Sequence, residues 1–153
     1  MGKRYYIAYG SNLSEEQMAF RCPDAKPAGM AVLKDWKLVF RTHATVEPCE
    51  GRVVPVLVWE ISEQDERSLD LYEGWPHYYR KETLQITMTN FLGQNPRRIT
   101  AMVYIMNDGH EARPPMKGYY DTLDKAYTRY GFNRYQLELA MTEAKEAMEH
   151  EFS

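Results

Sequence analysis

The order of the predicted elements indicates an α+β fold built on a curled, mainly antiparallel or mixed sheet. Apolar and β-branched segments typical of strands dominate the first two thirds of the chain. Helical periodicity is concentrated in the last third, and the earlier helices do not recur as regular crossovers between strands. A doubly wound parallel sheet, which needs such crossovers, is therefore not expected.

The first predicted strand, Tyr5–Tyr9, is a short aromatic and β-branched run that stops at Gly10. A short helix is predicted over 14–21, because Ser14 is a suitable N-cap and Gln17 follows three residues later in a capping-box pattern. The chain therefore begins with a strand, a tight glycine turn and a helix.

The middle of the chain supplies the central strands. Met30–Thr42 is predicted as a strand pair or as one long bent strand, and His43–Gly51, which contains Pro48, is predicted as a loop. Val53–Ile61 is strongly apolar and β-branched, which is typical of a buried central strand. Pro55 within it cannot donate to a ladder and implies an edge position or a bulge.

A helix is predicted next, over Glu63–Tyr72. Ser62 can cap it, and acidic residues fill its first turn, where the helix dipole favours them. Gly74 is expected to end this helix, and Pro76 prevents its continuation.

Two further strands and two helices complete the chain. Tyr78–Met88 and Ile99–Met106 are predicted to pair across a hairpin turn at Gly93–Arg97, with a polar loop over Asn107–Lys117. Helices are then expected over 118–130 and 133–150. The second helix would begin at an Asn133 N-cap and carry an apolar stripe at helical spacing, formed by Leu137, Ala140, Met141, Ala144 and Met148.

Length and composition limit the class of protein. The 153 residues predict a single domain over 1–153, and 44% apolar residues suit a globular protein. Because 19 basic and 22 acidic residues give a net charge of −3, no nucleic-acid partner is expected. No apolar run is long enough to cross a membrane, and the N-terminus lacks a signal-peptide pattern, so a cytoplasmic protein with a small-molecule partner is expected, as a monomer or homodimer.

The two cysteines do not suggest a metal site or a disulfide. Cys22 and Cys49 lie far apart, with no CxxC or Cys/His spacing, and no histidine is tied to either by a signature. We therefore predict no metal and no cofactor.

The loop Tyr9-Gly10-Ser11-Asn12-Leu13 is the first candidate for a site. A glycine lets the backbone approach a ligand closely, and amides at a helix N-terminus stabilise a carboxylate or phosphate. An ordinary strand–turn–helix junction would have the same local sequence.

Glu73 is the second candidate. It stands at the C-terminal end of a predicted helix, where the dipole is unfavourable for a carboxylate. Aromatic residues surround it in sequence, and an apolar pocket would raise its pKa toward the range useful for proton transfer. The alternative is an exposed glutamate before a C-cap glycine. The neighbouring aromatics are Tyr72, Trp75, Tyr78 and Tyr79.

Together, these segments resemble the gamma-glutamylcyclotransferase-like family. The Tyr9–Leu13 loop is followed some sixty residues later by Leu69-Asp70-x-x-Glu73-Gly74-x-Pro76-x-Tyr78-Tyr79-Arg80. Further matching pieces are Gly51-x-Val53 leading into Val56–Ile61, Ala101-x-Val103-Tyr104, and Pro115 with Tyr119, Thr122, Leu123 and Gly131-Phe132.

The resemblance implies a small, curled, barrel-like sheet flanked by helices. It also implies cyclisation of a γ-glutamyl group by its own α-amine, with release of 5-oxoproline and an amine or amino acid. Glu73 would be the general base and acid. The substrate would be held by the 9–13 loop, by Tyr78 or Tyr79, and by Tyr119.

Three questions stay open at the level of sequence. The amides around Gly10, Ser11 and Asn12 could stabilise an oxyanion or bind the substrate α-carboxylate. The same scaffold could be a non-catalytic module that binds a small carboxylate. A further hypothesis is a partner-binding surface on the acidic C-terminal helix, formed by Glu138, Glu143, Glu146 and Glu149.

Overall fold

The computed structural model describes residues 4–151. The strands are β1 (Arg4–Ala8), β2 (Lys26–Arg41), β3 (His43–Ile61), β4 (Tyr79–Thr89) and β5 (Arg97–Met106). The α-helices are α1 (Glu15–Arg21), α2 (Glu63–Glu73), α3 (Lys117–Tyr130) and α4 (Tyr135–Glu151), and a 3₁₀ turn spans Ser11–Leu13.

The described strands form a closed barrel in the order β1-β3-β2-β4-β5. Neighbouring strands are antiparallel except β1 and β5, which run parallel with Tyr5 opposite Ala101. The first and last strands therefore close the barrel. The predicted α+β class, with a curled and mainly antiparallel mixed sheet, is confirmed.

The predicted loop over His43–Gly51 is wrong, because this segment is the first half of β3. It pairs with β2 in a long hairpin whose register starts at Arg41 opposite His43, across Thr42, and continues to Trp36 opposite Pro48. Three consecutive residues of this segment are buried, Ala44, Thr45 and Val46. Proline and glycine are typical of loops in a sequence, but pairing with the preceding strand β2 decides the conformation here.

The segment predicted as a strand pair or one long bent strand is a single strand with irregular register. One irregularity falls beside Asp35, which has a φ of 65° and accepts a hydrogen bond from the Gly51 amide at 3.0 Å. Pro55 lies before the part of β3 that pairs with β1, which begins at Leu57. At Pro55 the strand is therefore paired on one side only, as the proline implied.

The helices follow their predicted caps closely. Ser62 and Asp65 form a reciprocal capping box at the start of α2, and Gly74 ends this helix in the left-handed conformation. Helix α4 begins at Tyr135 rather than at 133, although the Asn133 side chain still accepts a hydrogen bond from the Tyr135 amide at 2.9 Å. Its apolar stripe packs toward β2 and buries Leu137, Ala140 and Ala144.

Candidate active site

A pocket of about 360 Å³ lies where β1 ends, α2 ends, and β3 and β4 begin. This volume falls within the roughly 300–1,000 Å³ that small-molecule sites occupy. Its walls come from four strands (β1, β3, β4 and β5), from α2 and α3, and from the turn after β1. The lining residues are Tyr6, Ile7, Tyr9–Asn12, His43, Ala44, Leu71–Gly74, Tyr78, Tyr79, Tyr104 and Tyr119.

The turn after β1 is held close to α3. Gly10 precedes the 3₁₀ turn, and its carbonyl accepts a hydrogen bond from the Leu13 amide at 2.9 Å. A Cβ at position 10 would lie 3.1 Å from the hydroxyl oxygen of Tyr119. Glycine therefore allows the backbone to approach this tyrosine more closely than another residue would.

Asn12 joins the turn to three neighbouring elements. Its side-chain amide donates to the Tyr6 hydroxyl at 2.9 Å, and its side-chain oxygen accepts from the Arg21 guanidinium. Its backbone carbonyl accepts from the Trp59 indole at 3.1 Å. Because Asn12 is buried with its polar groups paired, the position of the turn is well determined.

Arg21 connects the turn with the end of α2. Its guanidinium lies 3.6 Å from the centroid of the Tyr72 ring, in a cation–π contact, while it also bonds Asn12. The Tyr72 hydroxyl in turn shares a hydrogen bond with the Ser11 hydroxyl at 3.2 Å. The two segments singled out in the sequence are thus joined side by side.

Glu73 is the last residue of α2 and is partly buried in the pocket wall. Burial raises the pKa of its carboxyl group to about 7, and the positive charge of Arg21 partly opposes this rise. Among residues 4–151, no hydrogen bond or ion pair to this carboxylate is found. Glu73 is therefore free to exchange a proton with a bound molecule near neutral pH.

Four buried tyrosine hydroxyls lie near this carboxylate. Burial raises the pKa of each, and the negative charge of Glu73 adds to the rise in all four. In Tyr119, the backbone amides of Ala44 and Ser11 partly oppose the effect of burial on the pKa. These tyrosines are Tyr6, Tyr9, Tyr79 and Tyr119.

The hydrogen bonds of these hydroxyls separate them into two pairs. Tyr9 donates to the Tyr104 carbonyl at 2.6 Å, and Tyr79 donates to the Ala44 carbonyl at 2.9 Å, so both of these protons are already used. The hydroxyls of Tyr6 and Tyr119 instead accept hydrogen bonds, from Asn12 and from the Ala44 amide at 3.0 Å. Tyr6 and Tyr119 therefore retain a proton that can be donated into the pocket.

The structure places most of the predicted site residues around this pocket. Leu13 is the exception, because its side chain is 0% exposed and belongs to the hydrophobic core. The predicted residues that line the pocket are Tyr9, Gly10, Ser11, Asn12, Glu73, Tyr78, Tyr79 and Tyr119.

Sequence reasoning did not propose Tyr6, His43, Ala44 or Tyr72 as site residues. Tyr6 could have been found, since it lies on the predicted strand that leads into the glycine turn. No local signal marks His43 and Ala44, because they reach the pocket through the hairpin pairing that the sequence did not predict.

The described part of the chain contains no group of three or more His, Cys, Asp or Glu side chains placed to hold a metal ion. Cys22 is buried and does not line the pocket. Burial raises the pKa of its thiol to about 12, and the thiol donates to the Asp65 carbonyl. None of the described helices is long and apolar enough to cross a membrane.

Comparison with known proteins identifies relatives by sequence. The family model described as gamma-glutamyl cyclotransferase, AIG2-like, matches residues 6–122. The gamma-glutamylcyclotransferase of Homo sapiens is 29% identical over 126 residues, which is 74% of this chain and 64% of the human protein. The Mus musculus protein of the same name is 30% identical with the same coverage. The chain thus spans less than two thirds of the length of these relatives.

Solved structures give the same result. A structure of a gamma-glutamyl cyclotransferase is 27% identical and superposes with a TM-score of 0.75, covering 94% of this chain and 86% of that one. YkqA from Bacillus subtilis shares the fold at 18% identity, with a TM-score of 0.74 over 93% of this chain and 55% of its own. Since the family model matches most of the sequence and the barrel superposes on that of a named member, the chain belongs to the gamma-glutamyl cyclotransferase, AIG2-like family.

Proposed function

We propose that this protein is a cyclotransferase that acts on γ-glutamyl amines or γ-glutamyl amino acids and releases 5-oxoproline. The observation that carries the proposal is Glu73, an unpaired carboxyl group whose pKa burial raises to about 7, facing a pocket that includes the Gly10–Asn12 turn. Membership of the family supports the same reaction class.

In the proposed reaction, the substrate folds so that its α-amine meets its own γ-carbonyl carbon. In well-oriented systems, holding the two reacting groups together in this way can lower the activation free energy by roughly 7–11 kcal/mol. The amine nitrogen forms a bond to the carbonyl carbon and gives one proton to the Glu73 carboxylate. A tetrahedral oxyanion results.

The intermediate then collapses. The bond between the former carbonyl carbon and the leaving nitrogen breaks, and Glu73 returns its proton to that nitrogen. The products are the five-membered lactam 5-oxoproline and a free amine or amino acid, with no water consumed. A group with a pKa of about 7 suits both steps, because it is present in both protonation states near neutral pH.

The oxyanion needs hydrogen-bond donors, and two sets are available in the pocket. One is the backbone amides around Gly10, Ser11 and Asn12, which could instead hold the substrate α-carboxylate. The other is the pair of hydroxyls of Tyr6 and Tyr119, which accept hydrogen bonds from Asn12 and from the Ala44 amide and, within residues 4–151, donate to no protein group. Such donors typically contribute a factor of about 10²–10³ each to the rate.

Substitution of Glu73 by glutamine tests the proposal directly. Glu73→Gln keeps the shape of the side chain but removes the proton acceptor, so we expect 5-oxoproline release to fall by about 10²–10⁴-fold. The measurement is chromatographic quantification of 5-oxoproline from several γ-glutamyl compounds. The matched control is Glu146→Gln on the exposed face of α4, which should leave turnover unchanged.

Two outcomes would contradict the proposal. Unchanged turnover in Glu73→Gln would remove this residue from the mechanism. Tight binding of 5-oxoproline by the wild-type protein, with no product from any γ-glutamyl compound, would favour the non-catalytic binding module.

A further inference from the structure

A second, open hollow of about 400 Å³ adjoins the pocket. The two share three lining residues, Leu71, Gly74 and Tyr78, so a molecule that leaves the pocket past the end of α2 enters the hollow. The other residues that line the hollow are Asp70, Trp75, His77 and His110.

The surface of this hollow is largely apolar and aromatic. Leu71 is 85% exposed and Trp75 is 43% exposed, although both are large apolar side chains. Tyr78 and His110 stack beside them, with ring centroids 4.3 Å apart. Exposed apolar groups that cluster next to a pocket are typical of a ligand-binding surface.

The carboxylate that borders the hollow is already compensated. Asp70 accepts a hydrogen bond from the Tyr104 hydroxyl at 2.6 Å and forms an ion pair with Lys81 at 2.9 Å. Lys81 also pairs with Glu66 at 2.7 Å, so its charge is shared. A cationic group entering the hollow would therefore find no unpaired acid among the described lining residues.

Glu73 lines the pocket and is close in sequence to two residues of the rim that the pocket and the hollow share. It follows Leu71 and precedes Gly74, both of which line the pocket and the hollow, while the buried groups around Tyr6 and Asn12 form the closed end of the pocket. A substrate whose scissile amide lies at Glu73 has its polar glutamyl part in the closed end. Its leaving group then extends into the hollow.

We infer that the hollow is the leaving-group subsite, and that it selects an amine or amino acid with an aromatic or long apolar side chain. This inference rests on the proposed function. The γ-glutamyl part needs polar partners, which the closed end supplies, whereas Leu71 and Trp75 offer exposed apolar area. The Lys81 ammonium covers one face of the Trp75 ring at 4.0 Å from its centroid.

The test compares leaving groups and variants. The substrates are γ-glutamylphenylalanine, γ-glutamylphenethylamine, γ-glutamylalanine and γ-glutamyllysine, each assayed for 5-oxoproline. We expect kcat/KM to be about tenfold higher for the aromatic compounds than for γ-glutamylalanine, from apolar area removed from water. γ-Glutamylphenylalanine and γ-glutamylphenethylamine differ only in the carboxylate of the leaving group, so they show whether an amino acid or an amine is preferred.

Leu71→Ser should lower the ratio of aromatic to alanine kcat/KM by about fivefold, because it removes apolar contact from the hollow. The matched control is Leu92→Ser, since Leu92 is 80% exposed and lines neither space. Trp75→Ala is a second variant with the same expected direction, accompanied by a thermal unfolding curve to show that the protein is folded.

The failure of the inference and the failure of the proposed function give different results. If 5-oxoproline is released but alanine or lysine is the better leaving group, the subsite assignment is wrong and the reaction stands. The same conclusion follows if the ratio of aromatic to alanine kcat/KM in both hollow variants equals the wild-type ratio. If none of the compounds yields 5-oxoproline, the proposed function is wrong and the subsite assignment is lost with it.

Discussion

The two walls of the pocket differ in how completely their polar groups are paired. The loop wall, residues 9–12, is buried, and the side chain and carbonyl of Asn12 bond to three neighbours. The helix wall, residues 71–74, is largely exposed and carries the unpaired carboxylate of Glu73. The loop wall therefore fixes the shape of the pocket, and the helix wall keeps the Glu73 carboxylate available for reaction.

This difference predicts that substitutions in the two walls affect stability in opposite directions. A fully paired polar residue stabilises the fold, and its loss leaves neighbours unpaired. A buried, unpaired carboxylate costs stability when it is ionised, and its loss relieves that cost.

The largest effect is expected for Asn12→Ala in the loop wall. The substitution leaves the Tyr6 hydroxyl and the Arg21 guanidinium without their partner, so the free energy of unfolding should fall by about 3 kcal/mol. Chemical denaturation measures this value. A loss below about 0.5 kcal/mol, the usual size for surface sites, would show that the network does not hold the wall.

A smaller effect of opposite sign is expected for Glu73→Gln in the helix wall. The pKa of Glu73 is about 7 in the folded protein, above its ordinary value of 4.5, so the unfolded chain releases this proton first as the pH rises. Stability contributed by the protonated form is complete below pH 4.5 and is lost between pH 4.5 and 7. The glutamine variant should therefore be more stable than wild type by about 2 kcal/mol at pH 8 and equal to it near pH 4.

Denaturation curves at the two pH values check this prediction, with Glu146→Gln as the exposed control. Equal stability of Glu73→Gln and wild type at pH 8 would mean that the Glu73 carboxylate is hydrated rather than buried.

The smallest effect concerns Arg21, which connects the walls. Its positive charge lowers the pKa of Glu73, so Arg21→Met should move the acid limb of the kcat/KM profile to higher pH, with a loss of about threefold at pH 6 beyond any loss at pH 8. Arg21→Lys keeps the charge and should keep the limb close to its original position. Identical pH profiles for wild type and the methionine variant would show that the charge of Arg21 does not lower the pKa of Glu73.

Much of the fold could be predicted from sequence, because local patterns determine it. Ser62 and Gly74 bound α2 as their capping chemistry predicts, and the apolar stripe of α4 is the face that packs on the barrel. The His43–Gly51 segment could not be predicted in this way. It forms a strand because it pairs with β2 across Thr42, and this pairing outweighs the preference of Pro48 for a loop.

The candidate site was predictable where it lies in continuous motifs. The residues from Tyr9 to Asn12 and Glu73 were found in this way, whereas Leu13 belongs to the same motif but points into the core. A motif gives the residues of a turn without the direction of each side chain. His43 reaches the pocket through strand register, which the residue types alone do not encode.

The backbone of Ala44 holds two tyrosines, since its carbonyl accepts a hydrogen bond from the Tyr79 hydroxyl while its amide donates one to the Tyr119 hydroxyl. Apart from proline, which has no amide hydrogen, no substitution at this position removes either the donor or the acceptor. Alanine scanning would therefore underestimate its importance, whereas a single-residue insertion or deletion at the hairpin tip would displace both hydroxyls at once. The two tyrosines thus constrain the length of this hairpin, in addition to the constraint that packing places on its buried side chains.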